Sequence, residues 1–423
     1  MADWRSMSPT QFTIPAEKIQ AMLFGERGME VLTEALFNQL LQAEMTAHLG
    51  AGPSEQTEQR RGYRNGSYTR KLTTRVGTLE LEVPRDRKGT FKTELFERYQ
   101  RNEKALVLAL MEMVVQGVST RKVKKITNEL CGRRFSRQTV SRLAQTLDEQ
   151  VAAWAERELE HEYPFLIVDA MQVKVRRQQA VRSTTVIRGY MMIAIGISEE
   201  GYREILGINV GFRETGEGWR TFLSDLKARG LSGVEVITSD AHEGLRGAIQ
   251  RCFPGSIWQR CQAHFRRNVV DRVPASRKER VHEMLDKILE APSPEDARKA
   301  LERVTPELQE KAPSALKVLE AGFEDATAVL ALPAKYRRRL RTSNMIERFI
   351  EEIRRREKVV RIFPNMQSAW RLIGALCAEQ HEEWAHGRRY LTMDAYVQWR
   401  AQLEHADRQP NNPVPNNPVP KAA

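Results

Sequence analysis

The alternation of apolar and polar positions predicts a mixed β-sheet in the middle of the chain. Apolar runs of strand length occupy residues 165–175, 189–196, 204–210, 234–240 and 256–261. Apolar residues at helical spacing separate the last of these runs, at 219–227 and 242–252. Three consecutive strands followed by helix, strand, helix and strand are typical of an α/β domain whose mixed sheet is covered by helices.

Helical patterns predominate outside this central region. An amphipathic helix is predicted at 29–49, and Gly50 ends it. Its apolar face comprises Met29, Leu32, Leu36, Leu40 and Ala43. We expect this face to pack into the core of its own subunit, and a contact between subunits is the alternative.

From residue 264 to about residue 340 the pattern is helical, which indicates a helical insertion after the fifth strand. Ser293–Pro294 and Thr305–Pro306 each place a capping residue before a proline, so each predicts a helix start. Helices continue to about residue 406. Beyond it, the repeated Asn-Asn-Pro-Val-Pro at 411–420 predicts a disordered tail.

Residues 119–147 predict two short helices that begin after Ser119 and Ser136, with a break at Gly132. Their inner faces comprise Val123, Ile126 and Leu130, then Val140, Leu143 and Leu147. The outer face of the second helix carries Arg137, Gln138, Ser141 and Arg142. Such side chains contact bases and phosphates in a major groove, so a helix-turn-helix is predicted. Plain packing of two amphipathic helices gives the same pattern and stays open as the alternative.

The segment 59–88 is strongly basic, with nine Lys and Arg residues against three acidic ones. Leu79, Leu81 and Val83 alternate with polar residues and predict a strand after a turn at 76–78. Tyr63 and Tyr68 lie among the cations, which suits phosphate contact with some base or sugar stacking. A solvated basic loop is the alternative. The candidate DNA contacts in this segment are Arg60, Arg61, Arg64, Arg70 and Arg75.

Composition narrows the class of protein. The chain of 423 residues is 41% hydrophobic, which is sufficient for packed cores. Its longest apolar run, at 190–197, is too short for a membrane span, and the first residues lack the apolar stretch of a secretion signal. Four cysteines fit a reducing cytosol better than a disulfide-stabilised fold. The net charge of +12 indicates a polyanionic partner.

Three carboxylates lie where they could carry chemistry. Asp169 lies inside the most apolar strand, where a charge is costly unless it is paired or bound to a metal. Asp240 ends the fourth strand, and Glu347 lies early in a predicted helix. If they meet at one edge of the sheet, they can hold two divalent cations for phosphodiester chemistry. Alternatively, Asp240 with Glu243, and Asn344 with Glu347, form helix caps.

Two further groups of residues are candidates for a functional role. Arg354, Arg355 and Arg356 follow Glu347 on the same predicted helix, where phosphate contact is favoured over a solvated helix face. Cys261 and His264 have the spacing of half a zinc site. As a zinc site the pair is weak, because a structural zinc needs four ligands and no second pair has a matching spacing.

The chain up to about residue 400 resembles the bacterial insertion-sequence transposases of the Mutator-like class. The resemblance rests on RRGYRNG (60–66), TRVGTLELEVPRDR (74–87), GVSTR (117–121), VDA (168–170), SDAHEGL (239–245), QRCQAH (259–264) and TSNMIER (342–348) with the arginine triplet. It implies a ribonuclease H-like core, interrupted by a helical insertion before the last acid. It also implies an Asp-Asp-Glu triad at Asp169, Asp240 and Glu347, and a structural or DNA-positioning role for Cys261 and His264.

The function that this resemblance implies is that of a DNA transposase, which binds the terminal inverted repeats of its own element. A metal-activated water would cut the DNA, and the freed 3′ hydroxyl would then attack target DNA. We expect two Mg²⁺ ions per site, with Mn²⁺ as a substitute, and at least a homodimer on double-stranded DNA. The expected location is the bacterial cytoplasm, at the nucleoid. The alternatives are a ribonuclease H-like nuclease or resolvase and a helix-turn-helix DNA-binding regulator.

These interpretations divide the chain into consecutive segments with separate roles. They are an N-terminal helical region (1–56), a basic hairpin-containing DNA-binding segment (57–100), a helix-turn-helix DNA-binding domain (101–160), the first part of the catalytic core (161–263), a helical insertion (264–340), the end of the core with C-terminal helices (341–406) and a disordered tail (407–423).

Overall fold

The structure is a computed structural model that describes residues 28–96, 103–131, 135–145, 147–180 and 183–407, as well as residues 16, 19 and 20. The chain forms two compact units, Met1–Thr146 and Leu147–Ala423. This boundary lies earlier than the predicted end of the helix-turn-helix domain at residue 160. The predicted break at Gly132 and the predicted tail after Asp407 lie outside the described residues.

In the first unit, a helix packs on a two-stranded antiparallel hairpin. The helix α1 spans Gly28–Leu49, and the strands β1 and β2 span Arg64–Thr74 and Gly77–Asp86. Leu79, Leu81 and Val83 are buried in one cluster with Leu41 of the helix, which confirms the predicted strand. The turn lies at residues 75–76, just before its predicted position.

The buried face of α1 differs from the predicted face. Leu41, Met45 and Leu49 are buried, whereas Met29, the first residue of the predicted face, is 58% exposed. The other predicted positions are partly buried, namely Leu32, Leu36, Leu40 and Ala43. The prediction was wrong because apolar residues occur on several sides of this helix. The hairpin therefore decides which side is covered.

Short helices complete the described part of the first unit. They are α2 (Lys104–Val115), α3 (Thr120–Cys131) and α4 (Arg137–Ala144). The Ser119 hydroxyl accepts a hydrogen bond from the N–H of Lys122 at 3.3 Å, and the Ser136 hydroxyl accepts one from the N–H of Thr139 at 3.0 Å. Both predicted N-caps are therefore present.

Val123 of α3 and Val140 of α4 are buried in one cluster, as their spacing predicts. Leu147 was predicted to lie on the inner face of α4. This prediction is wrong, because α4 ends at Ala144. Leu147 instead begins α5 (Leu147–Ala155) in the second unit. Acidic residues in the first turn of α5 favour a new helix N-terminus at this point.

The second unit is built on a mixed five-stranded sheet with the order β5-β4-β3-β6-β7. The strands are β3 (Phe165–Ala180), β4 (Ser183–Ile197), β5 (Arg203–Gly211), β6 (Val236–Ser239) and β7 (Ile257–Arg260). Strands β3, β4 and β5 are antiparallel neighbours, whereas β6 and β7 run parallel to β3. The predicted mixed sheet and its strands are confirmed.

Helices cover both faces of this sheet. On one face, α6 (Gly216–Ala228) and α7 (Glu243–Cys252) bury Trp219 and Leu245 in a cluster with Met192 and Leu206 of the sheet. On the other face, Phe165 of β3 packs in a cluster that draws its partners from the later, mainly helical part of the chain.

The insertion between β7 and Glu347 is helical, as predicted. Its helices are α8 (Gln262–Val270), α9 (Lys278–Leu289), α10 (Pro294–Lys311), α11 (Pro313–Thr327) and α12 (Ala334–Leu340). The Ser293 hydroxyl caps α10 by accepting from the N–H of Asp296 at 3.1 Å, which confirms the first predicted start.

The second predicted helix start, at Thr305–Pro306, is wrong. Helix α10 runs through Pro306, because Val304 and Leu308 on either side of it are both buried in the core of the insertion. The Thr305 hydroxyl donates to the carbonyl of Leu301 at 2.9 Å. Tertiary packing therefore outweighs the local signal of the proline.

The last helices of the described chain are α13 (Asn344–Val360), α14 (Met366–Ala385) and α15 (Asp394–Asp407). After α13, Phe363 pairs with Val175 of β3, where its N–H donates to the carbonyl of Lys174 at 2.8 Å. This pairing anchors the end of α13 beside β3. No helix among the described residues combines the length and apolarity that crossing a bilayer requires.

Candidate active site

The carboxyl end of β6 lies beside the first part of β3, and the carboxyl end of β7 lies beside that of β6, so the sheet brings together residues that are far apart in the sequence. The parallel register that sets Ile167 opposite Thr238, continued by two residues, sets Asp169 opposite Asp240. Neighbouring strands lie about 4.8 Å apart, and residues opposite each other point to the same face. The register between β6 and β7, continued by one residue, sets Cys261 opposite Asp240. Cys261 directly follows β7.

Asp169 is the most deeply buried of the predicted acids, with 8% of its surface exposed. The backbone N–H of Ala170 donates to its Oδ1 at 2.8 Å. Burial is the main cause that raises the pKa of Asp169 to about 7. The charges of Asp240 and Glu347 act in the same direction, while His264 opposes them. The acids are therefore close enough to influence the ionisation of Asp169.

Neither Asp240 nor Glu347 occupies an N-cap. The N-cap of α7 is His242, and the N-cap of α13 is Ser343, so the predicted capping boxes do not form. The Oδ1 of Asp240 accepts from the backbone N–H of His242 at 3.2 Å, which shapes the turn after β6. Glu347 lies in the first turn of α13, where its Oε1 accepts from the Ser343 hydroxyl at 3.3 Å.

Cys261 and His264 form a layer next to Glu347. Cys261 is fully buried, and its sulfur accepts from both the N–H and the hydroxyl of Ser343, each at 3.3 Å. The Nε2 of His264 lies 3.8 Å from the Oε1 of Glu347. This pair thus connects the start of α8 to the start of α13.

The charges in this layer are complementary. The neighbouring Cys261 thiol is the main cause that raises the pKa of His264 to about 9, and the carboxylates of Asp169 and Glu347 add to the shift. Burial alone would raise the pKa of Cys261, but its interactions with His264 and Ser343 outweigh burial and lower it. At neutral pH, His264 therefore carries a positive charge beside the acids.

The side chains of this region offer two sets of possible metal ligands. Asp169, Asp240 and Glu347 offer carboxylate oxygens, which are the ligands that Mg²⁺ and Mn²⁺ prefer. The ligand atoms of Cys261, His264 and Glu347 also lie within 4.8 Å of one another and could hold an ion. As a structural zinc site this second set is incomplete, because it offers three ligands where four are needed.

The predicted DNA contacts of the hairpin segment fall into different settings. Arg64 donates to the side chains of Gln42 and Thr46, so its guanidinium is used within the first unit. Arg75 is paired with Glu103 at 3.3 Å. The remaining predicted contacts are exposed or lie over an aromatic ring, namely Arg61, Arg60 over Tyr63 and Arg70 over Phe96.

The predicted DNA contacts on α4 and α13 also include both exposed side chains and side chains that are bound within the protein. Gln138 and Arg142 on α4 are exposed, whereas the side chains of Arg137 and Ser141 lie outside those that the structure describes. On α13, Arg354 is exposed, and Arg355 is paired with Glu352 at 2.9 Å. Arg356 is 6% exposed and is bound to the same Glu352, so it faces the protein interior.

Ser343 is a site residue that the sequence analysis did not single out. It is fully buried and bonds to both Cys261 and Glu347. The available signal was its position four residues before Glu347 within the TSNMIER motif. A serine there reads as an ordinary helix cap, which is why pattern alone does not reveal its contact with Cys261.

Comparison with known proteins supplies independent findings. A family model described as Transposase, Mutator family, matches residues 7–387. The transposase for insertion sequence element ISRM5 of Rhizobium meliloti (strain 1021) is 44% identical over 373 residues, which cover 88% of this chain and 92% of that protein. The transposase for insertion sequence element IS256 in transposon Tn4001 of Staphylococcus aureus is 43% identical over 396 residues, covering 92% and 100%.

Among solved structures, the chain is similar to a chain of the Drosophila P element transposase strand transfer complex. The TM-score is 0.31 and the sequence identity 13%, and the match covers 79% of this chain and 90% of that one. At this level of similarity, the match carries no inference about fold or function.

Proposed function

This chain belongs to the Mutator family of transposases, and we propose that it moves its own insertion sequence by cutting and joining DNA. The observation that supports the proposal most is that Asp240 and Glu347 lie close enough to Asp169 for their charges to raise its pKa, beside the carboxyl end of β6. The proposal is supported by relatives that are named as transposases for insertion sequence elements. The similarity covers 92% and 100% of the lengths of these two relatives.

We propose that the catalytic core is ribonuclease H-like. Antiparallel β3, β4 and β5 followed by parallel β6 and β7 support this assignment. The helices α8 to α12, which separate β7 from Glu347, correspond to the helical insertion that the family resemblance implies.

The proposed cofactor is a pair of Mg²⁺ ions, for which Mn²⁺ can substitute. Asp169 and Asp240 would be the main ligands, and Glu347 would complete the second site. When bound, such ions activate an attacking hydroxyl and stabilise the leaving oxygen in phosphodiester chemistry. One site of this kind serves both the cleavage and the joining of DNA strands.

The residues of the chain have distinct roles in this proposal. The N–H of Ala170 holds the Asp169 carboxylate in place. Because the pKa of Asp169 is raised to about 7, this carboxyl is partly protonated at neutral pH and gives up its proton when cations bind. His264 and Ser343 contact the Glu347 carboxylate and would fix its position.

We assign recognition of the terminal inverted repeats to the first unit. The exposed Gln138 and Arg142 of α4 suit base and phosphate contact, and Arg61 with the Arg60–Tyr63 pair suits contact with the backbone. The proposed assembly on double-stranded DNA is a homodimer or larger, because two element ends are joined in one reaction. The place of action would be the nucleoid.

The decisive experiment incubates the purified protein with DNA of its element's end, with and without Mg²⁺, and maps the nicks. Nicking at the element boundary only with Mg²⁺ is the expected result. Asp169→Ala should retain end binding and lose cleavage by about a thousandfold, since a metal site contributes several kcal/mol to the transition state. Cleavage that persists in Asp169→Ala would contradict the proposal.

Two outcomes separate transposition from its alternatives. A DNA-binding regulator would bind the element end and never nick it. A nuclease or resolvase would nick the DNA but fail to join a pre-cut element end to a target duplex. Joined products from the pre-cut end, dependent on Asp169 and on Mg²⁺, are expected only of a transposase.

A further inference from the structure

A groove rich in positive charge, which the proposed mechanism does not use, lies in the second unit. Its volume is about 760 Å³, and an adjoining pocket of about 580 Å³ shares several of its residues. The cations that line the two are chiefly Arg203, Lys335, Arg338, Arg339, Arg348 and Arg388. We refer to this surface as the cationic groove.

Several cations of the cationic groove are not neutralised by the protein, whereas Arg341, which also lines it, is paired with Glu290 at 3.1 Å. Among the described residues, no carboxylate lies within ion-pair distance of Arg338, Arg339 or Arg348, all of which are exposed. Glu352 is the one acidic residue among those that line it, and it is already bound to Arg355 and Arg356. Elsewhere in this unit, exposed arginines such as Arg280 and Arg298 are paired. The groove therefore keeps a strong positive potential.

Aromatic rings are interleaved with these cations. The Arg203 guanidinium lies 4.5 Å from the ring centroid of Trp384 and 4.7 Å from that of Tyr390. Arg339 lies over Tyr390 at 4.4 Å. The Nε of Arg203 is buried and has no hydrogen-bond partner among the described residues. Rings and guanidinium planes arranged in this way offer flat surfaces on which nucleobases stack.

The cationic groove adjoins the acidic cluster through α13. Asn344 and Arg348 line the groove, and Glu347 lies between them in the sequence. A helix turns by about 100° per residue, so Glu347 and Arg348 face different directions from the same helical turn. A strand held in the groove would thus pass close to the carboxylates.

We propose that the cationic groove binds an unpaired DNA strand next to the site of strand cleavage. Unneutralised cations hold the phosphates, and the aromatic and guanidinium planes hold the bases. Unpaired rather than duplex DNA is indicated because stacking on these surfaces requires exposed base faces, which a duplex does not offer. The identity of the ligand as DNA rests on the proposed function, but its binding is measurable without cleavage.

The test measures binding by fluorescence anisotropy, with full-length protein in EDTA. The probes are single-stranded oligothymidine of about 12 nucleotides and a duplex of equal length. The triple variant Arg338→Gln/Arg339→Gln/Arg348→Gln removes exposed charges without opening the core. It should bind the single strand at least about tenfold more weakly, and the slope of log K against log salt should fall by about 2, or 0.7 per lost contact.

The matched control removes as many exposed arginines from outside the groove. The variant Arg267→Gln/Arg272→Gln/Arg303→Gln should keep the affinity and the salt slope of the wild type.

A separate pair of variants tests stacking on Tyr390. Tyr390→Leu should weaken single-strand binding about tenfold, while Tyr390→Phe should keep it, because the ring and not the hydroxyl stacks on the bases.

Several results would overturn the inference. One is wild-type affinity and salt slope in the groove triple variant. Another is an equal loss of duplex and single-strand binding, which would mean a general electrostatic surface. A control triple variant that loses as much as the groove variant would have the same meaning. If the wild type fails to nick element ends, the proposed function fails, but these binding results still decide whether the groove holds a strand.

Discussion

The two sides of helix α13 differ sharply in charge although they belong to the same few residues. On one side, Glu347 faces Ser343 and the protonated His264, next to the buried Asp169. On the other side, Arg348 faces the cationic groove. On the side of Glu347, the charged groups contact one another within the protein. On the side of Arg348, the positive charge has no carboxylate partner among the described residues.

In the proposed function, this one helix serves two parts of the reaction. The carboxylate side suits cations and the reacting phosphate, and the arginine side suits the DNA chain that leads to that phosphate. Their separation follows from the helical period alone, because successive residues point about 100° apart. Substitutions at adjacent positions should therefore have different consequences, which the following predictions test.

The largest expected effect separates Glu347 from its neighbour. Glu347→Gln should lower the cleavage rate at saturating DNA by about a hundredfold to a thousandfold, since it removes a ligand charge from the site. Arg348→Gln should mainly raise the DNA concentration that is needed for half-maximal rate. Glu351→Gln, the same change at an exposed position of the same helix, is the control and should keep the wild-type rate. Single-turnover cleavage across a range of DNA concentrations measures both quantities.

A smaller effect concerns stability on the acidic side. The pKa of Asp169 is about 7 in the folded protein, against 3.8 ordinarily, so its ionisation opposes folding. This cost is absent below about pH 4, grows as the pH rises, and is complete above about pH 7. Asp169→Asn should therefore stabilise the metal-free protein by about 2–4 kcal/mol at about pH 8 and by little at about pH 4.

Thermal unfolding in EDTA at both pH values measures this difference. Asp225→Asn on α6, an exposed acid, is the matched control and should change stability little at either pH. Added Mg²⁺ should stabilise the wild type more than Asp169→Asn, because the ions bind the folded carboxylates. Equal stability of wild type and Asp169→Asn at both pH values would contradict the assigned burial cost.

The smallest predicted effect concerns Ser343, which joins Cys261 to Glu347. Ser343→Ala removes a hydroxyl whose single hydrogen can donate either to the Cys261 sulfur or to the Glu347 carboxylate, each 3.3 Å away, and should cost about 1 kcal/mol of unfolding free energy. Because Glu347 then loses a contact that fixes its orientation, the cleavage rate should fall more than DNA affinity does. Chemical denaturation and the same single-turnover assay test the two parts. Ser343→Cys, which keeps a weak donor, should lose less than Ser343→Ala.

Much of the fold follows from local pattern. The central strands, the hairpin strand at Leu79–Leu81–Val83 and the cap at Ser293 lie where periodicity and capping chemistry predict them. These features depend on residues within a few positions of one another, so the printed sequence contains their causes. Asp169 also stood out from sequence alone, since a carboxylate inside an apolar strand needs a partner.

Other features depend on contacts that no local pattern encodes. The hairpin decides which side of α1 is buried, and the core of the insertion carries α10 through Pro306. Likewise, Arg64 and Arg356 resemble their exposed neighbours in sequence, yet both are bound within the protein. In each case the free energy of burying distant side chains outweighs a small local preference.

The sequence by itself determined the strands, most helices, the excess of positive charge and the identity of the three acids. Only the tertiary structure decided that the first part of β3, which contains Asp169, lies beside the end of β6, that Cys261 and Ser343 support Glu347, and that scattered arginines line one groove. The physical reason is the separation in sequence of the interacting residues. Helix caps and periodic patterns depend on residues a few positions apart, whereas strand register and side-chain packing join segments that are distant in sequence.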